Sequence, residues 1–338
     1  MVLAVRGKKL EVTFRMSPSI NVHQQAARSV QARQRIRAAI RETPCVLSRG
    51  GSDGQNRLAY KCENLQQTGS FKYRGAMAKL TSLPVDTPLV TASSGNHGLA
   101  LATAARVMGH ALTVVLPETV AREKLARIQA LGVRTILHSR DSGLAERHAR
   151  ELAMVDGSTY VSPYNDPEVV AGQGTIGLEL IEQMPELDTV YIAMGGGGLI
   201  SGIGCVLKAF APRTRIVGVS AVNSSAFAAS LRAGHPVEIE HRATLADGVA
   251  GGFDPDTITL PLAAEVVDDL IDCTEVEIAA GIEQVAWTEK MLVEGSAGMA
   301  LAAWTKDKGR RGTGSSVVLL CGANFDRGTI ERILTGGA

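Results

Sequence analysis

The chain has 338 residues, of which 45% are hydrophobic and 20% are charged, and its formal net charge is +1. This composition excludes global disorder, and the near-neutral charge gives no support for binding to nucleic acids or membrane surfaces. No apolar run approaches the roughly 20 residues that cross a bilayer. The five cysteines are scattered and form no CxxC pair, so we expect a protein of the reducing cytoplasm without disulfides or a zinc site.

The predicted elements alternate regularly along most of the chain. A helix is predicted over residues 23–41 and ends before the pair Thr43-Pro44. Apolar, β-branched strands are predicted over residues 88–94, 111–117, 133–139, 158–163, 189–195, 215–221 and 315–322. Helices are predicted between them over residues 95–109, 120–132, 142–155, 169–184 and 197–211. This alternation indicates an α/β fold with two doubly wound domains and mainly parallel sheets, with ligands beyond the carboxyl ends of the strands.

The segment TGSFKYRG, residues 68–75, places Lys72 in what we interpret as a tight turn next to a buried edge. A solvated lysine needs no such setting, although a lysine in an ordinary loop is the alternative interpretation. Desolvation lowers the pKa of an amine, so a confined Lys72 would be neutral often enough to attack an aldehyde and later to remove a proton.

Two segments that follow predicted strands are suited to binding anions. SSGNHG, residues 93–98, supplies hydroxyl and amide groups where a helix begins, and the unpaired backbone N–H groups there favour a carboxylate or a phosphate. An ordinary helix cap is the alternative interpretation of this segment. The four consecutive glycines at residues 195–198 allow backbone N–H groups to approach a ligand closely, as a phosphate-binding loop requires.

Two further patterns carry weaker signals. Cys321 falls at the carboxyl end of the last predicted strand, where it either meets a ligand or is a small buried residue. GQGTIG, residues 172–177, has the glycine spacing of a dinucleotide-binding fingerprint. However, a helix start precedes it, and no acidic residue follows about 20 residues later. A nicotinamide-dependent dehydrogenase is therefore a weak alternative.

These segments share one explanation. The ligand is a phosphorylated aldehyde, which the glycines hold by its phosphate and which Lys72 binds through an imine. Pyridoxal 5'-phosphate is such a molecule, and an amino acid is its usual substrate partner.

Six segments, in chain order, carry a family resemblance. They are ENLQQTGSFKYRGA (63–76), SSGNHGLALA (93–102), VSPYNDPEVVAGQGTIGLEL (161–180), GGGGLISG (195–202), ADGVAGG (246–252) and EGSAGMALAA (294–303). They resemble the fold-type II pyridoxal-phosphate enzymes, in the serine/threonine dehydratase and serine racemase branch, which have a tryptophan synthase β-like fold. The resemblance implies a large cofactor-binding domain from residues 1–84 and 160–338, a small substrate-carboxylate-binding domain from residues 85–159, and a homodimer.

The resemblance also implies roles at matching positions. Lys72 would hold the cofactor and remove the substrate α-proton, and Ser94 lies where the family places an acid/base on the opposite face. Phe71 and Asn96 would contact the cofactor ring, and Cys321 would face its pyridine nitrogen. Four glycines would bind the phosphate: Gly195, Gly196, Gly197 and Gly198. The substrate carboxylate would be bracketed by Ser93, Ser94, Gly95, Asn96 and His97.

The predicted reaction follows from Cys321. A thiol cannot force a proton onto the pyridine nitrogen, so the ring is a weaker electron sink, and losing the β-hydroxyl as the α-proton leaves avoids a full carbanion. We predict β-elimination (dehydration and deamination) of a β-hydroxy amino acid such as L-threonine, L-serine or a 3-substituted serine like phenylserine, giving a 2-oxo acid and ammonia. The alternative is a serine racemase, in which Ser94 reprotonates the far face. A non-catalytic pyridoxal-phosphate-binding protein is a weaker alternative.

The chain departs from the family pattern in three places. The family's divalent-cation site uses acidic residues after the strand that matches residues 215–221, but residues 220–229 contain no carboxylate, so we predict no metal. Ala323 stands where the family usually has a second glycine. No regulatory domain follows the catalytic region, so feedback control by isoleucine is not expected. The resemblance alone places Glu294 near the cofactor.

Overall fold

The computed structural model describes residues 20–51, 56–309 and 314–336, and the architecture below is that of these ranges. The strands are β1 (Cys45–Leu47), β2 (Asn56–Lys61), β3 (Leu89–Ala92), β4 (Leu112–Leu116), β5 (Arg134–Leu137), β6 (Thr159–Tyr160), β7 (Leu187–Ala193), β8 (Arg215–Ala221), β9 (Asp269–Cys273) and β10 (Gly314–Leu319). The α-helices are α1 (Val22–Ile36), α2 (Lys72–Leu80), α3 (Asn96–Met108), α4 (Arg122–Gln129), α5 (Ser142–Asp156), α6 (Pro167–Gln183), α7 (Gly198–Phe210), α8 (Ala226–Ala233), α9 (Thr259–Val266), α10 (Glu275–Gln284), α11 (Gly295–Lys306) and α12 (Arg327–Leu334). None of these helices is long and apolar enough to cross a lipid bilayer.

The larger sheet has the strand order β1-β2-β10-β7-β8-β9. β1 runs antiparallel to β2, and the other neighbouring strands are parallel. In its centre, Val317 of β10 is paired with Ala59 of β2 and with Val190 of β7, and all three are fully buried. Burial on both faces explains why the central strands are continuous apolar runs, and it confirms the predicted α/β fold with mainly parallel sheets.

The smaller sheet has the order β5-β4-β3-β6 and is parallel throughout. Leu89 and Val114 from this sheet share a hydrophobic cluster with Leu101 of α3. Because its strands all lie between residues 89 and 160, we propose that this sheet forms the core of the small domain predicted over residues 85–159.

The strands and helices predicted from the alternating pattern are present, and most are shorter than predicted. The tight turn predicted in residues 68–75 is present at Gly69, with φ of +73°, but the placement of Lys72 in that turn is wrong, because Lys72 is the first residue of α2. Strands β1, β2 and β9, helix α2 and helices α8 to α12 were not predicted. The sequence of β9, DLIDC, shows little strand signal because its two aspartates interrupt the apolar pattern and only Ile271 and Cys273 are buried.

The glycine pattern GQGTIG lies inside α6, not between a strand and a helix. An ideal Cβ atom on Gly172 would fall 2.5 Å from the backbone oxygen of Arg74. An ideal Cβ atom on Gly202 of α7 would fall 2.4 Å from the backbone oxygen of Val170. These glycines therefore allow α6 to pack closely against α2 and α7, which explains the pattern without a dinucleotide.

Four buried charged side chains connect α2, β2 and α6, and each is at most 4% exposed. Arg74 donates from Nε to Glu63 at 2.8 Å and from Nη1 to Glu179 at 2.5 Å. Lys61 donates to the second carboxylate oxygen of Glu179. Two positive and two negative charges thus compensate each other where water is excluded. Because Arg74 lies two residues after Lys72 in the first turn of α2, this cluster fixes the start of the helix that carries Lys72.

Replacing Arg74 with Ala should destabilise the fold, because Glu63 would stay buried without a cationic partner and Glu179 would keep only Lys61. We expect a loss of about 3–5 kcal/mol in the free energy of unfolding, measured by urea denaturation with circular dichroism. The control is Arg33→Ala, which removes a more exposed pair with Glu182 and should cost at most about 1 kcal/mol. Equal losses in the two variants would contradict a structural role for the buried cluster.

Candidate active site

A cavity lies beyond the carboxyl ends of β7 and β10, where α2 and α7 begin. Its position is that expected for a ligand site in a parallel sheet. Eight residues predicted from the sequence line it: Phe71, Lys72, Asn96, Gly195, Gly196, Gly197, Gly198 and Cys321. The other lining residues are Tyr164, Ala193, Leu199, Gly248, Val249, Glu294 and Ser296.

Lys72 brings its amine to this cavity from the first position of α2. Nζ donates a hydrogen bond to the carbonyl oxygen of Pro163 at 2.9 Å and lies 5.0 Å from the ring centroid of Phe71. Burial lowers the pKa of Lys72 to about 8, although Cys321 and Glu294 act in the opposite direction. A neutral amine is therefore available near neutral pH, as attack on an aldehyde or removal of a proton requires.

The glycines at residues 195–198 connect β7 to α7, and their surroundings leave no room for side chains. An ideal Cβ atom on Gly196 would fall 2.4 Å from Cδ1 of Tyr164, and one on Gly197 would fall 2.2 Å from Cζ of Phe227. Gly197 also has φ of +80°, which residues with side chains rarely adopt. Since α7 begins at the fourth glycine, its first backbone N–H groups have no partners within the helix and can bind phosphate oxygens.

Asn96, the first residue of α3, is held in one orientation by its neighbours. Its Nδ2 donates to Oε1 and Oε2 of Glu294 at 3.1 and 3.0 Å, and its Oδ1 accepts from Nδ2 of Asn324 at 2.7 Å. Oδ1 of Asn324 accepts in turn from Nη2 of Arg127 at 3.1 Å. This chain of hydrogen bonds runs from α4, which packs on the smaller sheet, to the start of α11, which packs on the larger one. It therefore joins the two sheets across the site.

Cys321 and Glu294 form a second polar contact in the cavity. Sγ of Cys321 donates to Oε1 of Glu294 at 3.7 Å. Burial raises the pKa of the Cys321 thiol well above its ordinary value, and the charge of Glu294 adds to the effect. Burial also raises the pKa of Glu294, although the hydrogen bond from Asn96 opposes this. The thiol therefore stays neutral beside the cavity.

A second cavity adjoins the first and shares Asn96, Gly248 and Glu294 with it. The predicted residues Ser94 and Gly95 line this second cavity. Its remaining lining residues are Leu99, Ala121, Glu123, Lys124, Arg127, Ile128, Asp247, Asn324, Phe325, Asp326 and Arg327. It can hold the part of a ligand that extends away from Lys72.

The two remaining predicted site residues, Ser93 and His97, line neither cavity. Oγ of Ser93 accepts a hydrogen bond from the backbone N–H of Gly95 at 3.3 Å, which shapes the loop before α3. His97 is buried, and its Nε2 lies 3.1 Å from the carbonyl oxygen of Val161. Burial, together with the charge of Lys72, lowers the pKa of His97 to about 3, so the ring is neutral and Nε2 is the donor. His97 thus holds the start of α3 in place. Because its ring is neutral, it offers no positive charge that could bind a carboxylate.

The segment after β8 is where the family resemblance would place a divalent cation. Side-chain hydrogen bonds connect this segment to the loop that leads to Gly248. Oγ of Ser224 lies 2.8 Å from Nδ1 of His241, and Nδ2 of Asn223 donates to the carbonyl oxygen of Ala243 at 2.7 Å. Across the described ranges, no group of three or more His, Cys, Asp or Glu side chains could hold a metal ion.

Motif reasoning alone did not find Glu294, Tyr164 or Ser296. Glu294 was indicated only by the family resemblance. Tyr164 directly follows the predicted strand over residues 158–163, and a position at the carboxyl end of a strand is the signal that identifies such residues. Ser296 is the second residue of α11, a helix that the sequence pattern did not predict.

The groups around the first cavity fit pyridoxal phosphate. Lys72 offers a buried amine for its aldehyde, the glycines at residues 195–198 offer N–H groups for its phosphate, and Asn96 and Cys321 offer polar groups for its ring. The buried Oγ of Ser296 also lines the cavity and has no hydrogen-bond partner among the described residues. Buried hydroxyls normally have partners, so a polar ligand would complete this set.

Comparison with known proteins gives the same result. Residues 36–322 match the family described as "Pyridoxal-phosphate dependent enzyme". Over 280 residues the chain is 37% identical to the L-threonine ammonia-lyase of Thermotoga maritima, covering 82% of this chain and 69% of the relative. The processed form of threonine deaminase isoform 2 from Solanum lycopersicum has a TM-score of 0.89 at 29% identity and covers 100% of this chain and 94% of its own. Maize serine racemase has a TM-score of 0.85 at 29% identity, covering 92% and 97%.

The lowered pKa of Lys72 predicts how cofactor uptake depends on pH. Only the neutral amine attacks an aldehyde, so the rate at which apoprotein takes up pyridoxal phosphate should rise with pH and level off above about 8. Well below that pH, the rate should fall about tenfold per pH unit. Stopped-flow absorbance measures this rate. Nα-acetyl-lysine amide, whose amine has a pKa of about 10.4, is the control and should level off at higher pH. The same midpoint for both amines would contradict a desolvated Lys72.

Replacing Gly197 with Ala should weaken pyridoxal phosphate binding, because the new methyl group would meet Phe227 and displace the loop. Gly132→Ala is a matched control, since Gly132 also has a positive φ, +78°, but has no atom within 4 Å of the added Cβ. We expect both variants to lose about 1–2 kcal/mol of stability from the backbone strain. Only Gly197→Ala should also lose cofactor during dialysis. Full cofactor retention by Gly197→Ala would contradict the assignment of the glycines to the phosphate.

Proposed function

The chain belongs to the family of pyridoxal-phosphate dependent enzymes, and we propose that it is an ammonia-lyase that converts L-threonine or L-serine to a 2-oxo acid and ammonia. The observation that carries this proposal is a buried Lys72 amine of lowered pKa in the same cavity as a neutral Cys321 thiol. The relative named L-threonine ammonia-lyase, at 37% identity, supports the same reaction.

Lys72 and the glycine loop would hold the cofactor, with Lys72 at its aldehyde and Gly195 to Gly198 at its phosphate. When bound, pyridoxal phosphate withdraws electron density from the substrate Cα and so acidifies the Cα proton. Lys72, whose amine is neutral in an appreciable fraction of molecules near pH 8, would accept that proton. The Cα–Cβ double bond would then form as the β-hydroxyl leaves, and the proton that Lys72 has taken from Cα would pass to the hydroxyl, so that it departs as water. Hydrolysis of the resulting enamine product gives the 2-oxo acid and ammonia.

Cys321 and Glu294 favour elimination over reactions that need a long-lived carbanion. The neutral thiol holds no proton acidic enough to place a positive charge on the pyridine nitrogen. A full negative charge at Cα is then poorly stabilised, so a route that expels the β-hydroxyl as the proton leaves has the lower barrier. Glu294 contributes by fixing Asn96, whose amide would contact the cofactor ring.

The loop before α3 would bind the substrate carboxylate. Ser94, Gly95 and Asn96 line the second cavity, where the backbone N–H groups at the start of α3 are free to bind an anion. Ser93 and His97 would hold this loop in place without contacting the substrate. Ser93 accepts a hydrogen bond from the backbone N–H of Gly95, and His97 contacts the carbonyl oxygen of Val161. The rest of the second cavity would hold the substrate side chain, and a 3-substituted serine such as phenylserine would extend into it.

We propose that a second copy of the chain covers an exposed apolar patch, defined as Val46, Leu47, Leu65, Trp287 and Leu292 and at least 41% exposed at each position. Two contacts join the segments that carry these residues: Ser48 donates to Glu289 at 2.6 Å, and Nδ2 of Asn64 lies 3.9 Å from the sulfur of Met291. Among the strands that the structure describes, β1 is an edge strand with a neighbour on one side only, and a symmetric partner can cover the other side.

We also propose a cytoplasmic location, which the five free cysteines support and which cell fractionation can test.

The test of the reaction is a panel of L-serine, L-threonine and 3-phenylserine with 2-oxo acid release measured by a coupled assay. We expect release from serine or threonine, none from Lys72→Ala, and no loss when a chelator is added. Chiral analysis of recovered serine provides the control for the alternative reaction. Accumulation of D-serine in place of the 2-oxo acid would identify a racemase, and cofactor binding without any product would identify a non-catalytic carrier.

Replacing Trp287 with Asp should convert the dimer to a monomer, because it places a charge in the centre of the apolar patch. Size-exclusion chromatography with light scattering measures the mass. Val155→Asp is the control, since Val155 is 85% exposed and lies on α5, outside the patch. A dimer that survives Trp287→Asp, or a monomeric unmodified protein, would show that the patch is not the interface.

A further inference from the structure

A cluster of polar side chains lies outside the two cavities beside Lys72 and joins the smaller sheet to the segment that precedes α9. Arg150 lies on α5, which packs on β3 and β4. Its Nη2 donates to Oδ1 and Oδ2 of Asp254 at 3.0 and 2.9 Å, and to Oε1 of Glu146 at 2.7 Å. The reaction proposed above assigns these residues no role.

Two further contacts hold the guanidinium of Arg150 in place. Its Cζ lies 4.4 Å from the ring centroid of Tyr160, and the OH of Tyr160 donates to Oε1 of Glu146 at 3.0 Å. The side chain of Arg150 is 36% exposed and that of Asp254 is 21% exposed. A guanidinium that is stacked on a ring and partly removed from water forms a stronger ion pair than one on an open surface. The pair can therefore fix the position of Asp254.

Asp254 connects this ion pair to Tyr164. The backbone N–H of Asp254 donates to the OH of Tyr164 at 2.9 Å. Oδ2 of Asp254 also accepts from Nδ2 of Asn165 at 3.1 Å, and Oδ1 of Asn165 accepts from the backbone N–H of Ile258 at 3.1 Å. These bonds hold residues 254–258 against the residues that follow β6.

Tyr164 connects the same residues to the glycine loop. It lines the cavity of Lys72, and ideal Cβ atoms on Gly196 and Gly198 would fall 2.4 and 3.0 Å from its side chain. Thr259, which directly follows residues 254–258, makes a second contact, because its Oγ1 donates to the carbonyl oxygen of Gly196 at 2.7 Å. The loop therefore cannot change shape without displacing Tyr164 or Thr259.

We propose that Arg150 and Asp254 are positioning residues for the cofactor phosphate and that they hold the glycine loop in its binding shape through Tyr164. Neither residue lines the cavity of Lys72, so both act through other residues. A loop made of glycines depends on such support, because glycine gives the backbone little conformational preference of its own. Loss of either charge frees Asp254, and the N–H groups of the loop then bind the phosphate less tightly. This inference depends on the cofactor and not on the proposed reaction.

The experiment measures the rate at which the holoenzyme loses pyridoxal phosphate during dialysis, without substrate. Arg150→Gln and Asp254→Asn each remove one charge of the pair, and we expect each to raise the rate about fivefold. Because both residues act through one ion pair, the double variant should lose the cofactor no faster than the single variants.

Three further variants test the route. Tyr164→Phe keeps the ring but removes the oxygen that accepts from Asp254, so it should raise the rate of cofactor loss to a similar extent. Arg150→Lys keeps the charge and should lose the cofactor more slowly than Arg150→Gln. Arg147→Gln is the matched control, because it removes the same charge from an exposed position of α5 and should retain the cofactor as the unmodified protein does.

Two measurements on the cofactor-free protein separate a role at the phosphate from a general structural role. Inorganic phosphate can occupy only the glycine loop, so it should compete with cofactor uptake about fivefold less well in Arg150→Gln and Asp254→Asn. The pH at which the uptake rate levels off should stay near about 8 in both variants, because they do not change the burial of Lys72.

Four results would overturn the proposal. These are cofactor retention by both charge variants, additive effects in the double variant, full retention by Tyr164→Phe, and a shifted pH dependence with unchanged competition by phosphate. In the last case the pair would act on the amine of Lys72, since Pro163, next to Tyr164, accepts its hydrogen bond. If the expected effects are found but no β-hydroxy amino acid yields a 2-oxo acid, the positioning role stands and the proposed reaction fails.

Discussion

Removal of the Lys72 amine from water is the constraint on which the site depends. An exposed lysine is almost fully protonated near neutral pH and can neither attack an aldehyde nor accept a proton. Burial lowers the pKa of Lys72 to about 8, and the nearby Glu294 limits that shift because a carboxylate favours the charged amine. The cavity therefore has to be apolar enough to lower the pKa of the Lys72 amine. It also needs a nearby acidic group, so that this pKa does not fall too far and the amine can still accept a proton. A neutral Cys321 thiol and a buried Glu294 satisfy both requirements.

The architecture keeps the amine in that environment by holding the first turn of α2. The turn at Gly69 leads into the helix, and the buried ion pairs of Arg74 with Glu63 and Glu179 attach it to β2 and α6. Such pairs contribute little net stability compared with apolar residues, but losing one partner is costly. The cluster is therefore better understood as fixing the orientation of α2 than as strengthening the core. Gly172 of α6 and Gly202 of α7 also fix the position of α2, because they let α6 pack closely against both α2 and α7.

Polar contacts join the two sheets across the cavity that contains Lys72. Arg127, Asn324, Asn96 and Glu294 form one chain of hydrogen bonds from α4 to α11.

The sequence by itself determined the parts of the protein that depend on local chemistry. Apolar strands alternating with helices defined the parallel α/β fold, four glycines after a predicted strand predicted a loop suited to a phosphate, and the setting of Lys72 predicted a confined amine. Only the tertiary structure decided which side chains from distant segments meet. In the folded chain, Glu294 contacts Asn96 and Cys321. Ser93 and His97 line neither of the two cavities beside Lys72, and Lys72 is the first residue of a helix. The physical reason is that strand and helix signals act over a few residues, whereas burial, pKa and hydrogen-bond partners depend on packing between segments up to 198 positions apart, as for Asn96 and Glu294.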